Sequence, residues 1–245
     1  ITALSSISDV DGDEQPDVIA FAETQSFLFS SQNILLFPSQ TFSETGRNAI
    51  YCAESIVISN DNLLHIVGGE TYSFSSDISP NMMCIDHNQD GNEEIWFAVP
   101  TQGEIQSLNP SDGSIKIIRS IPQSQTVLLA KIGDLNEDNK TDFILLYDQN
   151  PMIIVTNPED TTTDTIVSDF YSGSWRSIAS ADTDQDGLLD VVISTTTVDD
   201  RGEAIYIKGR NIQFALSNPT QISEIGTIIY TSLNQSQFGS TMFAT

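Results

Sequence analysis

Apolar residues in this chain come in short bursts rather than in helical stripes. "VIAFA" at 18–22, "IWFAV" at 95–99, "FILLY" at 143–147 and "VVIST" at 191–195 are β-branched and aromatic. Ser, Thr, Asn, Asp and Gly interrupt the chain roughly every 8–12 residues, which is the punctuation of short strands joined by turns. Amphipathic stripes of 3.6-residue period are scarce, so the pattern predicts an all-β fold. In the stretch from about 126 to 173 it predicts strands near 127–132, 142–147, 152–156 and 164–168. Four short strands in a unit of about 48 residues make one blade of a β-propeller.

Each of the four apolar bursts is preceded by an acidic loop. "DVDGDEQPD" starts at Asp9, "DHNQDGNEE" at Asp86, "DLNEDNKTD" at Asp134 and "DTDQDGLLD" at Asp182. All fit one template: acid, any residue, Asp or Asn, any residue, Asp, three free positions, acid. Position three is Asp11, Asn88, Asn136 and Asp184; position five is Asp13, Asp90, Asp138 and Asp186. Position nine is Asp17, Glu94, Asp142 and Asp190. The intervals between first positions are 77, 48 and 48 residues.

So many carboxylates in nine positions repel one another unless a cation joins them. Ca²⁺ is a hard cation that takes about six to eight oxygens, mixing carboxylates, amide oxygens and backbone carbonyls. Alternate side chains at positions one, three and five can converge in a tight loop. Position seven (Gln15, Asn92, Lys140 and Leu188) can offer its backbone carbonyl, and the position-nine carboxylate can close the shell. Up to four Ca²⁺ ions are expected. Mg²⁺ suits the loops less well, because it demands about six short octahedral contacts and keeps its waters. The sharp turn at position six favours a residue that tolerates the left-handed region, and Gly91, Asn139 and Gly187 comply. Glu14 does not, so loop one is expected to be the least regular and loop four the best formed.

An EF-hand begins similarly but needs a Glu at position 12 and flanking helices. Position 12 here is Ala20, Phe97, Leu145 or Ile193, each inside a strand-like run. An acidic turn without metal is the plain alternative. A mere turn needs no carboxylate at position nine in four copies.

An acidic loop leading into a strand, repeated at blade spacing, resembles the FG-GAP/VCBS repeat of integrin α-subunit heads and related extracellular propellers. "FGSTMFAT" at 238–245 resembles that family's opening strand, and "DDRGEAIYIKG" at 199–209 its second hairpin. The resemblance implies a β-propeller with Ca²⁺ in loops joining the first two strands of successive blades, and an extracellular binding or adhesion role. It divides the chain into blades at about 1–76, 77–125, 126–173 and 174–237, with 238–245 opening a further one. The first region is long, and one enlarged blade is expected there rather than two; "SNDNLLHIVGG" at 59–69 reads as a decayed loop. Four loops and an extra strand imply an incomplete propeller, finished by further blades or by a partner chain.

Composition narrows the function. A net charge of −25 with nine Lys and Arg argues against nucleic acid and anionic membranes. There is no long apolar segment for direct membrane insertion. Cys52 and Cys84 could form one disulfide or remain buried thiols. Asn234-Gln235-Ser236 and Asn139-Lys140-Thr141 are glycosylation sequons. His65 lies in an apolar strand as a structural residue, whereas His87 at position two of its loop should face solvent. No nucleophile-elbow, phosphate-loop or zinc-protease motif is present. The best acidic pairs are committed to metal, so an enzyme is not expected. The expected role is a non-catalytic module at the cell surface or matrix that binds a protein or glycan. The alternatives are a structural subunit of an extracellular filament, and a carbohydrate-active or lectin propeller. For the lectin, Trp96 reads as core, and Trp175 reads either as core or as a stacking platform.

Overall fold

A computed structural model describes residues 3–7, 9–30, 38–79, 81–124, 126–148, 151–167, 174–196, 202–218 and 220–230. The chain divides into two compact units, Ile1–Gln123 and Ser124–Ala244. Both are built from four-stranded antiparallel sheets with strands in chain order, five sheets in all among the described residues. That is the up-and-down pattern of propeller blades.

The first unit holds three blades. They are β1 (Ala3–Ile7), β2 (Asp17–Phe21), β3 (Ser26–Phe29) and β4 (Gln40–Phe42); β5 (Asn48–Cys52), β6 (Ser55–Asn60), β7 (Leu63–Ile66) and β8 (Thr71–Ser73); and β9 (Met82–Ile85), β10 (Glu94–Val99), β11 (Glu104–Leu108) and β12 (Ile115–Ser120). The first strands lie side by side, β1 against β5 and β5 against β9. The second unit holds β13 (Val127–Gly133), β14 (Asp142–Tyr147), β15 (Met152–Val155) and β16 (Thr165–Val167), then β17 (Ser174–Ala181), β18 (Asp190–Thr196), β19 (Gly202–Ile207) and β20 (Gly226–Tyr230). Its first strands β13 and β17 are again neighbours.

The second strand of a blade is apolar at successive positions rather than alternating, as a strand buried on both faces should be. β10 is buried at every position and β14 at all but its last. The cores are accordingly layers between blades. Ile19, Phe21, Ile56 and Ile58 fill the first, Val57, Leu64, Ile95 and Phe97 the second, and Ile144, Ile154, Ile193 and Ile205 the layer within the second unit. Trp96 and Trp175 are 1% and 2% exposed, so both are core and neither is a stacking platform. The four strands predicted between 127 and 168 stand within two residues of their expected limits.

Two expectations are corrected. Residues 1–76 contain two blades, not one enlarged blade. The second escapes a search for acidic loops because β5 and β6 are joined by the two-residue turn Ala53-Glu54, with φ of 50° and 58°. Positive φ at both residues is the type I′ geometry that a twisted hairpin requires. The supposed decayed loop at 59–69 is the hairpin between β6 and β7. The blade also fits in a short span because the chain from β4 into β5 runs close against it: a Cβ on Gly46 would lie 2.3 Å from Ile58 Cγ2.

The second correction is helical. Between β19 and β20 lie α1 (Gly209–Ser217) and α2 (Ile222–Ile225). Their buried residues Ile212, Ala215, Ile222 and Ile225 extend the core of the second unit. Stripes this short do not stand out as a helical period. The opening strand foreseen at 238–245 and the sequon at Asn234 lie outside the described residues.

Cys52 at the end of β5 and Cys84 in β9 form a disulfide. It joins the first strands of the second and third blades across 32 residues of chain. Closing a loop of this length stabilises the folded state by roughly 3–4 kcal/mol in the chain-entropy model. Replacing both cysteines by serine should therefore lower the urea midpoint of the first unit's unfolding transition. An unchanged midpoint would show that the disulfide contributes nothing to holding the blades together.

Candidate metal-binding loops

Each acidic loop joins the first and second strands of a blade: β1 to β2, β9 to β10, β13 to β14 and β17 to β18. The four share one internal hydrogen-bond plan. The position-one carboxylate accepts the backbone N–H groups of positions five and six. Asp134 Oδ1 and Oδ2 take Asp138 N and Asn139 N at 3.0 and 2.7 Å; Asp182 takes Asp186 N and Gly187 N at 3.1 and 2.9 Å. Asp86 does the same with Asp90 and Gly91, and Asp9 with Asp13 and Glu14. Position five accepts the N–H of position seven at 2.8–3.0 Å, pairing Asp13 with Gln15, Asp90 with Asn92, Asp138 with Lys140 and Asp186 with Leu188. In loops one to three the side chain of Asp11, Asn88 or Asn136 also accepts the N–H of position five.

In loops one and four, three carboxylates converge. Ligand oxygens of Asp9, Asp11 and Asp17 lie within 4.8 Å of one another, as do those of Asp182, Asp184 and Asp186. The grouping of Cys52, Cys84 and Glu93 differs, since both sulfurs are already bonded. Glu14 does not spoil loop one: it takes φ of 67°, matching Gly91, Asn139 and Gly187 at 86°, 65° and 87°. A second left-handed residue stands at position four, namely Gly12, Gln89, Glu137 and Gln185. Only Gly12 hints at it in the sequence.

Position nine is the buried end of the loop. Asp17, Glu94, Asp142 and Asp190 are at most 8% exposed. Each accepts the N–H of position two, from Val10, His87, Leu135 and Thr183. His87 itself does not face solvent as expected; its ring stands edge-on to Trp96 with centroids 5.1 Å apart. His65 is a satisfied structural residue, bonded to Thr71 Oγ1 at 2.9 Å.

The position-nine groups differ in what remains unmet. Asp142 is fully buried; its Oδ2 accepts Leu135 N at 2.7 Å, while its Oδ1 has no hydrogen-bond partner. A buried, unpaired carboxylate oxygen beside two further carboxylates is costly in the absence of a cation. Asp190 lacks nothing comparable: Thr183 Oγ1 and Tyr206 Oη donate to its Oδ2, and Gly209 N donates to its Oδ1 at 2.8 Å.

Residues 134–193, covering the third and fourth loops, match the family model of the FG-GAP-like repeat. The chain is a β-propeller that carries an FG-GAP-like repeat at residues 134–193. Sqt1 of Saccharomyces cerevisiae has a similar fold, with a TM-score of 0.53 at 13% identity. The Vibrio cholerae biofilm matrix protein Bap1 aligns with a TM-score of 0.45 at 14% identity. An auxiliary nutrient binding protein of Bacteroides thetaiotaomicron aligns at 0.47 and 11%. The alignments cover 85%, 84% and 79% of this propeller but 59%, 37% and 54% of those chains. No curated protein matches the chain.

The electrostatics of the acidic loops follow the same division. Burial pushes Asp142 up to about 7; the Asp138 and Asp134 carboxylates push further and the Leu135 N–H opposes them. Burial likewise raises Glu94. Burial is also the largest influence on Asp190, but the bonds from Thr183, Gly209 and Tyr206 together outweigh it and the group is lowered. In the unfolded chain an aspartate titrates near about 3.9. Between about pH 4 and 7 the ion-free folded protein thus holds a proton on Asp142 that the unfolded chain has lost, and Asp142 costs stability as pH rises through that window. Chelated wild-type protein should lose melting temperature relative to Asp142→Asn between pH 5 and 7.5. A difference between the two that stays constant with pH would contradict this.

Proposed function

We propose that this chain is an extracellular Ca²⁺-binding β-propeller that acts as a non-catalytic adhesion or ligand-binding module. The observation that carries the metal reading is the buried, unpartnered Oδ1 of Asp142, on a carboxyl that feels the charges of Asp134 and Asp138. Its donor set is all oxygen, which suits a hard divalent cation.

The chain's own residues do the preparatory work. Backbone N–H groups hold the carboxylates of positions one and five in place before an ion arrives, so little ordering entropy remains to be lost on binding. Position nine fixes the loop to the start of the second strand. A bound Ca²⁺ would supply the positive charge that joins these ends. Asp134, Asn136, Asp138, the Lys140 carbonyl and Asp142 would hold it in loop three, with the corresponding residues in the other loops.

The Cys52–Cys84 disulfide supports an oxidising, extracellular setting. The core positions of Trp96 and Trp175 weaken a lectin that would stack sugars on them. A binding role rests instead on surfaces between loops. Beside loop two, an open groove of about 500 Å³ is lined by Glu54, Asn92, Glu93, Asn109 and Ser111 together with Ile66. It offers a protein or glycan partner both hydrogen-bond donors and acceptors.

Calcium at about 100 times its dissociation constant would stabilise the folded state by roughly 2.7 kcal/mol per site. EDTA should therefore lower the melting temperature, and calcium, added back, should restore it where magnesium does not. Asp142→Ala should reduce the calorimetric ion count by one and leave the remaining sites unchanged. A melting temperature indifferent to EDTA would sink the metal reading, and an unchanged ion count would remove Asp142 from the ligand set.

A further inference from the structure

Loop four carries its own cations. Lys208 Nζ lies 2.7 Å from Asp184 Oδ2, and Arg210 lies 2.9 Å from the same oxygen and 3.0 Å from Asp186 Oδ2. Both basic residues flank Gly209, whose N–H donates to the buried Asp190. The close approach depends on that glycine: a Cβ there would stand 2.6 Å from Leu188 Cβ and 2.9 Å from the Leu189 carbonyl oxygen. The start of α1 is thus seated on loop four, which places one cation on each side of the contact. In loop three, Asp134, Asp138 and Asp142 have no such ion pair among the described residues.

We propose that Lys208 and Arg210 are the resident counter-cations of loop four: they hold its carboxylates together without a divalent ion, and an entering ion has to displace them, so loop four fills after loop three. The second half rests on the calcium reading above; the first does not. An isolated exposed ion pair contributes little. Here the alternative is Asp182, Asp184 and Asp186, with oxygens within 4.8 Å of one another, without a cation beside them, so the pairs remove a repulsion as well as adding an attraction. Asp184 is lowered by the Lys208 side chain above all, in keeping with that arrangement.

Amide hydrogen exchange on the full chain tests this, in EDTA and across a calcium titration. The reporters are Asp138 and Asn139, bonded to Asp134, and Asp186 and Gly187, bonded to Asp182. In wild-type protein, Asp138 and Asn139 should exchange at least tenfold faster in EDTA than in calcium, while Asp186 and Gly187 stay protected in both. In the Lys208→Met/Arg210→Met protein, Asp186 and Gly187 should become calcium-dependent, with a midpoint at lower calcium than any loop-four change in the wild type. The two side chains are 41% and 56% exposed, so the substitutions leave the core intact. The proposal falls if loop four of the wild type is as calcium-dependent as loop three, or if the double substitution leaves its protection in EDTA unchanged. If no loop responds to calcium but loop four loses protection in the variant, the metal reading fails and the internal cations stand.

Discussion

The buried carboxylate at the start of each second strand is the constraint around which the loops are organised. Asp17, Glu94, Asp142 and Asp190 sit where the chain leaves solvent and enters the layer between blades. A charge in that place has to be met by donors or by a cation. Backbone N–H groups meet part of the demand in every loop. What meets the rest differs: in loop four, Tyr206, Thr183 and Gly209 do so, whereas one oxygen of Asp142 in loop three is left over. The same nine-residue template therefore leaves its buried carboxylate unequally satisfied.

That inequality was hidden in the sequence. Counting carboxylates at the template positions ranks loops one and four above the others, because Asp11 and Asp184 stand where loops two and three have Asn88 and Asn136. The folded chain points the other way, since Lys208 and Arg210 come from 18 or more positions beyond Asp190 and reach loop four only through the β19 hairpin and the seat of α1. The template itself was legible, because alternate acids and a β-branched run are local features. So were the strands of the fourth blade, whose continuous apolar positions report burial on both faces. The second blade was illegible for the opposite reason: its first hairpin turns on Ala53 and Glu54, residues with no turn signature, and tertiary packing imposes their left-handed backbone.

The second blade also shows how the fold does without an acidic loop. Where the other described blades have a nine-residue loop, it has a two-residue turn, and the strand entering that turn ends in Cys52. The disulfide to Cys84 joins this strand to its neighbour, and Ala53 N donates to Glu93 Oε2 of loop two at 3.1 Å. A covalent link and one hydrogen bond thus tie the short turn to the adjacent loop. The disulfide and the proposed cation would do related work, each restricting chain ends that would otherwise separate, but they would respond to different chemistry: one to reductant, the other to chelator.

Charge sets the final limit on how these loops can be satisfied. The chain has nine basic residues against 34 acidic ones, so loop carboxylates cannot all find partners within the protein. Two of the nine are drawn to loop four by a glycine that lets a helix approach. Loop three, with no such neighbour among the described residues, must be completed from outside or hold a proton on Asp142. A proton is one answer to that buried oxygen, and the proposed divalent cation would be the other. The propeller scaffold supplies strand ends that hold the oxygens in place, and internal cations are too few to neutralise every loop.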